Sequence, residues 1–359
     1  MALTDTPLDD IGGGILAQVL RQVGIASHLL AVSKILLPVI FYEWALAWPI
    51  ISKTWPLLRR LNQKNGAAFS KSIQSIIQKR VSLPQDAKHD FYSIAGVEAG
   101  EGIESLGRSE LWAEAVFFIP AGGTILSAAL SSLFFYLSRH PAAYTLLANE
   151  IRDTFSSDLD IKGGAQLSSC KYLRACIDET LRMSPPFLAT FWREPYSDHT
   201  EPFVVDGHVI PRGTMVGVDP YRVMHNEEYF PEPFAFRPER QQLTSHLLNS
   251  TPTDEQNLAS MRAAFAPFAL GDTGCLGKAM AYLETSLAIA KTLWYFDFEK
   301  ASGEAGKLGE GQLGNMNGRD RVDEYQLLDL AVADHDGPNL VFAPREEYWR
   351  ELSDGGLKV

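Results

Sequence analysis

Cys275 stands in the glycine-rich run Phe268-Ala-Leu-Gly271-Asp-Thr-Gly274-Cys275-Leu-Gly277-Lys-Ala279, directly before an apolar stretch from Leu276 to Phe296 that reads as a helix. A thiol at a helix start sits beside N–H groups that have no intrahelical acceptor, which favours the thiolate. Gly271, Gly274 and Gly277 let the backbone turn tightly and approach a flat ligand, and Phe268 can wall the sulfur off from water. These are the requirements of a cysteinate ligand to haem iron. A lone cysteine is more often a small buried hydrophobe, so Cys275 by itself leaves both readings open.

The surrounding spacing decides between them. Phe-x-x-Gly-x-x-x-Cys-x-Gly, followed by Ala281 and Glu284, resembles the haem-binding signature of the cytochrome P-450 (haem-thiolate monooxygenase) superfamily. Ala121-Gly122, followed by Leu133 to Leu137, is similar to that family's long central helix. Glu179-Thr-Leu-Arg182 with the later Phe236-Arg-Pro-Glu-Arg240 resembles its buried Glu-Arg-Arg network, and Arg193 matches in approximate position its arginine to a haem propionate. The resemblance is strong from about Leu111 to the C-terminus, and is to a fungal-type microsomal member lacking the N-terminal portion. It implies Cys275 as axial iron ligand, Phe268, Gly271, Gly277 and Arg193 around haem b, and Glu179, Arg182 and Arg240 as residues that hold the fold. It further implies electrons from NADPH through a reductase, and hydroxylation or epoxidation of a hydrophobic small molecule in secondary metabolism. A monomer at the cytosolic face of the endoplasmic reticulum membrane, or otherwise in the cytoplasm, completes the expectation.

Two positions depart from the family pattern. Its acid falls on Thr124 and its oxygen-activating threonine on Ile125, whose side chain cannot relay a proton. Thr124 keeps a hydroxyl, but one residue back on a helix is a rotation of about 100°. The basic residue two places before the ligand is replaced by Thr273. Two alternatives therefore stand beside the monooxygenase: a haem-thiolate rearrangement enzyme or peroxygenase that does not need the missing threonine, and a truncated, non-catalytic haem-binding relative.

The elements that must position these residues are mainly helical. A chain of 359 residues with 46% hydrophobic content can bury a large core. Its net charge of −12 and lack of a basic stripe exclude nucleic acid. Three cysteines with no zinc spacing suit a reducing compartment, and no secretory signal opens the chain. Residues 115–137 carry no charge and residues 35–52 only Glu43, so both have the composition of a membrane or membrane-surface segment. We read 115–137 as part of a buried helix, because the central-helix resemblance runs through it without gaps.

Periodicity predicts helices over Ile15 to about Leu61, Gly66 to Arg80, Ser109 to Ser138, Pro141 to Phe155 and Leu167 to Met183, with a polar loop over Leu83 to Gly107. Phe203-Val-Val205, Asp206-Gly207 and Val209-Ile210 predict a hairpin, followed by a strand from Met215 to Val218. A Pro- and aromatic-rich meander then leads to Arg240, residues 301–322 read as a surface insertion, and Tyr325 to Pro344 reads as a terminal hairpin. Phe117, Ala121 and Phe187 to Thr190 are candidate apolar pocket residues. The expected fold is α+β, mainly α with small sheets. Residues 1–108 form an N-terminal helical segment, the remnant of the substrate-covering helices, and 109–359 the haem-binding catalytic core.

Overall fold

A computed structural model describes residues 71, 74–80, 82–84, 87, 88, 90, 93, 108–195, 201–242, 252–271, 274–315, 318–330 and 332–350. The helix expected over Ile15 to Leu61 lies outside them, as do residues 35–52 and Thr273. The chain divides into two compact units: Met1–Ile125 with Leu330–Asp334, and Leu126–Asp329 with His335–Val359. In the first, residues 74–80 are helical and Arg80 pairs with Asp90 at 2.6 Å.

Helix α1, Arg108–Arg139, runs from the first unit into the second. Ala121–Arg139 is long and apolar enough to cross a membrane by length and composition. Its C-terminal turns nevertheless face protein: Leu133, Phe135, Tyr136 and Leu137 are buried in the core of the second unit. Residues this apolar on every side suit a helix enclosed by others. Pro141 sets the first turn of α2, Pro141–Thr154, which buries Ala143, Leu147, Ala148 and Ile151 along one stripe.

The expected helix over Leu167 to Met183 is two helices, α3, Ala165–Ser169, and α4, Lys171–Met183. Cys170, at φ −70° and ψ 89°, breaks the spiral between them. The amides of Tyr172 and Leu173 thereby lose intrahelical acceptors, and the Glu150 carboxylate on α2 accepts both at 2.8 and 2.7 Å. No local pattern could reveal a cap supplied by another helix.

Strands β1, Phe203–Val205, and β2, His208–Ile210, form the expected antiparallel hairpin around Asp206 and Gly207. The strand expected over Met215 to Val218 is instead a single bridge from Arg193 to Val216. There the two segments approach so closely that a Cβ on Gly217 would stand 2.4 Å from Thr190 Cγ2.

Short helices α5, Pro220–Met224, and α6, Glu239–Gln242, flank the meander, and α7, Pro252–Ala264, precedes the cysteine loop. Helix α8, Lys278–Tyr295, follows that loop and passes directly into β3, Phe296–Lys300. β6, Leu340–Pro344, pairs antiparallel with β3 in the register Phe298 to Phe342. Within the tail, β4, Leu327–Leu330, and β5, Val332–His335, pair as the hairpin the sequence predicted, and only the end of the tail returns to β3. Phe134 of α1 packs edge-on against Phe298 and Phe342 at 5.0 and 6.2 Å, joining that sheet to the helical core. The stretch 301–322 is also anchored: Glu310 accepts from Arg139 at 2.9 Å and pairs with Lys300, while Arg139 reaches the Gly306 carbonyl.

Candidate functional site

The cysteine loop is a succession of tight turns. Ala269 and Gly271 take left-handed backbone, at φ 56° and 68°. The Gly274 amide donates to the Gly271 carbonyl at 2.9 Å, and the Cys275 amide returns to the Phe268 carbonyl at 2.9 Å. Phe268, Gly271, Cys275 and Gly277 are thus gathered into one loop at the start of α8. Gly277 caps that helix without a side-chain acceptor.

All three cysteines are free thiols, and they differ in access. Cys170 and Cys176 are buried, and burial pushes their thiols up from the ordinary value. Cys275 is exposed. A Cβ on Gly277 would lie 3.7 Å from its Sγ, so glycine there leaves one flank of the sulfur bare. Leu270, Leu276 and Met280 of the same loop and helix start are also exposed. A bare thiol in an apolar, solvent-facing turn fits a flat, apolar, iron-bearing group that would cover it.

Behind the loop lies a charged core. Glu179 and Arg182 are both 0% exposed and Arg240 6%. Arg182 donates to both Glu179 oxygens at 2.9 and 3.0 Å, and Arg240 Nε donates to Oε1 at 2.9 Å. The Arg237 amide and Gln241 add further donors to the same carboxylate. The remaining guanidinium hydrogens go to the carbonyls of Met224, Pro231, Glu232 and Ala235. Such a network ties α4 to the whole Pro-rich meander, and at this burial it is costly to break.

A second set of contacts on α4 escaped the sequence reading. Tyr282 Oη donates to Asp178 at 2.6 Å, and Arg174 lies 3.6 Å from the Tyr282 ring centroid and 2.9 Å from Asp178 Oδ2. Burial pushes the Asp178 carboxyl above its ordinary value, against the opposing Arg174 charge and the Tyr282 hydrogen bond. The Tyr282 ring meets Phe268 at 5.1 Å. Asp178 and Tyr282 are distant in sequence, and neither belongs to a recognisable spacing.

The other predicted residues lie elsewhere. Arg193 is in an exposed segment, its backbone paired with Val216 and its guanidinium 5.9 Å from the Phe191 centroid. Thr124 and Ile125 are adjacent, half-buried residues of α1 in the first unit. Phe187 stacks on Phe191 at 5.0 Å, and Phe117 is exposed.

The sequence model of the family described as Cytochrome P450 matches residues 23–318. A cytochrome P450 monooxygenase of Gibberella zeae is 36% identical over 300 residues, covering 82% of this chain and 65% of that protein. Cytochrome P450 monooxygenase AKT7 of Alternaria alternata is 34% identical, covering 76% of this chain and 52% of its own. Cytochrome P450 monooxygenase apf7 of Gibberella fujikuroi is 37% identical, covering 77% and 51%. The chain belongs to the cytochrome P450 family, whose members bind a cysteine-ligated haem, and it has that family's α+β fold. It spans between about half and two-thirds of the length of these relatives.

Proposed function

We propose that this chain is the haem-binding part of a monooxygenase acting on a hydrophobic small molecule, with electrons from NADPH delivered by a reductase. The observation that carries the reading is the exposed Cys275 in its glycine-bounded loop, the accessible member of three cysteines. Haem, when bound, would supply the oxygen activation, which a thiolate ligand would favour. Cys275 would hold the iron, Phe268 would shelter the sulfur, and Gly271 and Gly277 would keep the loop close to the cofactor. Arg193 would offer a cation to a propionate. Glu179, Arg182 and Arg240 would hold the frame without touching reacting atoms. The family's usual setting supports a membrane-associated protein of the endoplasmic reticulum.

The test is the reduced, carbon-monoxide-bound difference spectrum of the chain expressed with a haem precursor. A thiolate-type band that Cys275→Ala abolishes is the expected result; a thiolate-type band that survives in the mutant rejects the ligand. Reductase-coupled turnover of lipophilic substrates then tests the activity. Ile125, in place of a hydroxyl, favours a second reading as a peroxygenase or rearrangement enzyme. Turnover with a hydroperoxide alone would select it.

A further inference from the structure

We propose that Tyr282 is a positioning residue for Cys275, locking the cysteine loop to α4 through Asp178 and Phe268. The contacts form an unbroken path. The Cys275 amide is held by the Phe268 carbonyl at 2.9 Å, so the height of the cysteine follows that of Phe268. The Phe268 ring rests on Tyr282 at 5.1 Å, with Lys278 Nζ 5.7 Å from the same centroid. Tyr282 is itself pinned from both directions, its hydroxyl on Asp178 at 2.6 Å and its ring under Arg174 at 3.6 Å. Arg174 and Asp178 are themselves paired at 2.9 Å, so the two groups that hold the ring belong to one face of α4.

The place of Asp178 gives this path its purpose. It adjoins Glu179, and neighbouring helix positions point about 100° apart. One carboxylate therefore reaches the meander through Arg182 and Arg240, and the other reaches α8 through Tyr282. Two consecutive residues of α4 reference both the loop before the cysteine helix and the meander to one rigid element. A ligand held to within a fraction of an ångström needs support of this kind behind it.

The spectroscopic part of the test rests on Cys275 being the iron ligand; the exchange part does not. Amide hydrogen exchange across residues 268–277 and across α2 is measured in the haem-free full chain for the parent, Tyr282→Leu and Tyr282→Phe. Tyr282→Leu should speed loop exchange about three- to tenfold, the range a lost aromatic pair gives, with α2 unchanged. Tyr282→Phe keeps the ring against Phe268 and loses the hydroxyl bond to Asp178, so it should speed loop exchange by a smaller factor than the leucine variant, again with α2 unchanged; if the leucine variant fails to fold, unchanged loop exchange in Tyr282→Phe overturns the proposal. In haem-loaded protein the thiolate-type share of the carbon-monoxide complex should fall in Tyr282→Leu and fall less in Tyr282→Phe, which keeps the ring contact to Phe268. Unchanged loop exchange, or equal acceleration in α2, would reduce Tyr282 to an ordinary core residue and overturn the proposal. A parent chain without the thiolate band would reject the functional reading, while the exchange data still decide the positioning role.

Discussion

Cys275 is exposed, and its side chain contributes little to the core. Cys275→Ala should therefore leave the unfolding free energy of the chain, read from urea denaturation, within about 0.5 kcal/mol of the parent while removing the thiolate-type spectrum. Ile125→Thr tests a different residue. If a hydroxyl at that helical position relays protons to bound oxygen, the substitution raises product formed per NADPH consumed, and unchanged coupling denies the position that role. His225 reports on stability through its own titration. Its ring is buried, stacked on Tyr221 at 3.9 Å, and Nδ1 donates to the Tyr221 carbonyl at 2.8 Å. Nε2 is buried and has no hydrogen-bond partner among the described residues. Burial lowers its pKa from 6.5 to about 4, and the Arg182 and Arg321 charges act in the same direction. The neutral form is thus the native one, and the unfolded chain binds the extra proton between those values. Its contribution is complete above about pH 6.5 and is lost as pH falls toward 4. His225→Phe should flatten that part of the pH–stability profile, as read from urea midpoints; an identical slope would show that His225 titrates normally.

Helix α4 is the element on which the second unit depends most visibly. It places Glu179 under two guanidiniums and an amide, and Asp178 on Tyr282. Removing the Glu179 carboxylate leaves Arg182 and Arg240 buried with uncompensated charge. Glu179→Ala should cost about 3–5 kcal/mol, measured by denaturant or, where the variant no longer folds, by loss of soluble chain. A cost below about 1 kcal/mol would assign the network to the surface class of ion pairs. The i,i+3 spacing of Glu179 and Arg182 made half of this network legible, because both residues lie on one helix. The return of Arg240 was legible only through the family pattern, since nothing local links it to residue 179.

At the scale of the molecule, the same apolar run serves two descriptions. Ala121–Arg139 has the length and composition of a membrane span, yet Leu133, Phe135, Tyr136 and Leu137 are buried among protein side chains. Composition cannot separate a lipid-facing helix from one enclosed by other helices, because both need apolar surface all round. The closing sheet shows the same limit. β3 emerges from α8 without a break and finds its partner only at Leu340–Pro344. The helix expected over Leu276 to Phe296 ends at Tyr295, and a strand that begins at the next residue is invisible until its partner is known.

The sequence by itself determined the features that depend on neighbours in the chain. These are the turns and glycines of the cysteine loop, the start of α8, the Asp206-Gly207 hairpin, the long central helix and the family to which they belong. Only the tertiary structure decided the rest: the cap that Glu150 lends to α4, the pairing of β3 with β6, the single bridge where a strand was expected, and the path from Asp178 through Tyr282 to Phe268. The division has one physical cause. Backbone propensity and turn chemistry act over a few residues, whereas caps, ladders and buried ion pairs join groups that meet only once the chain has folded.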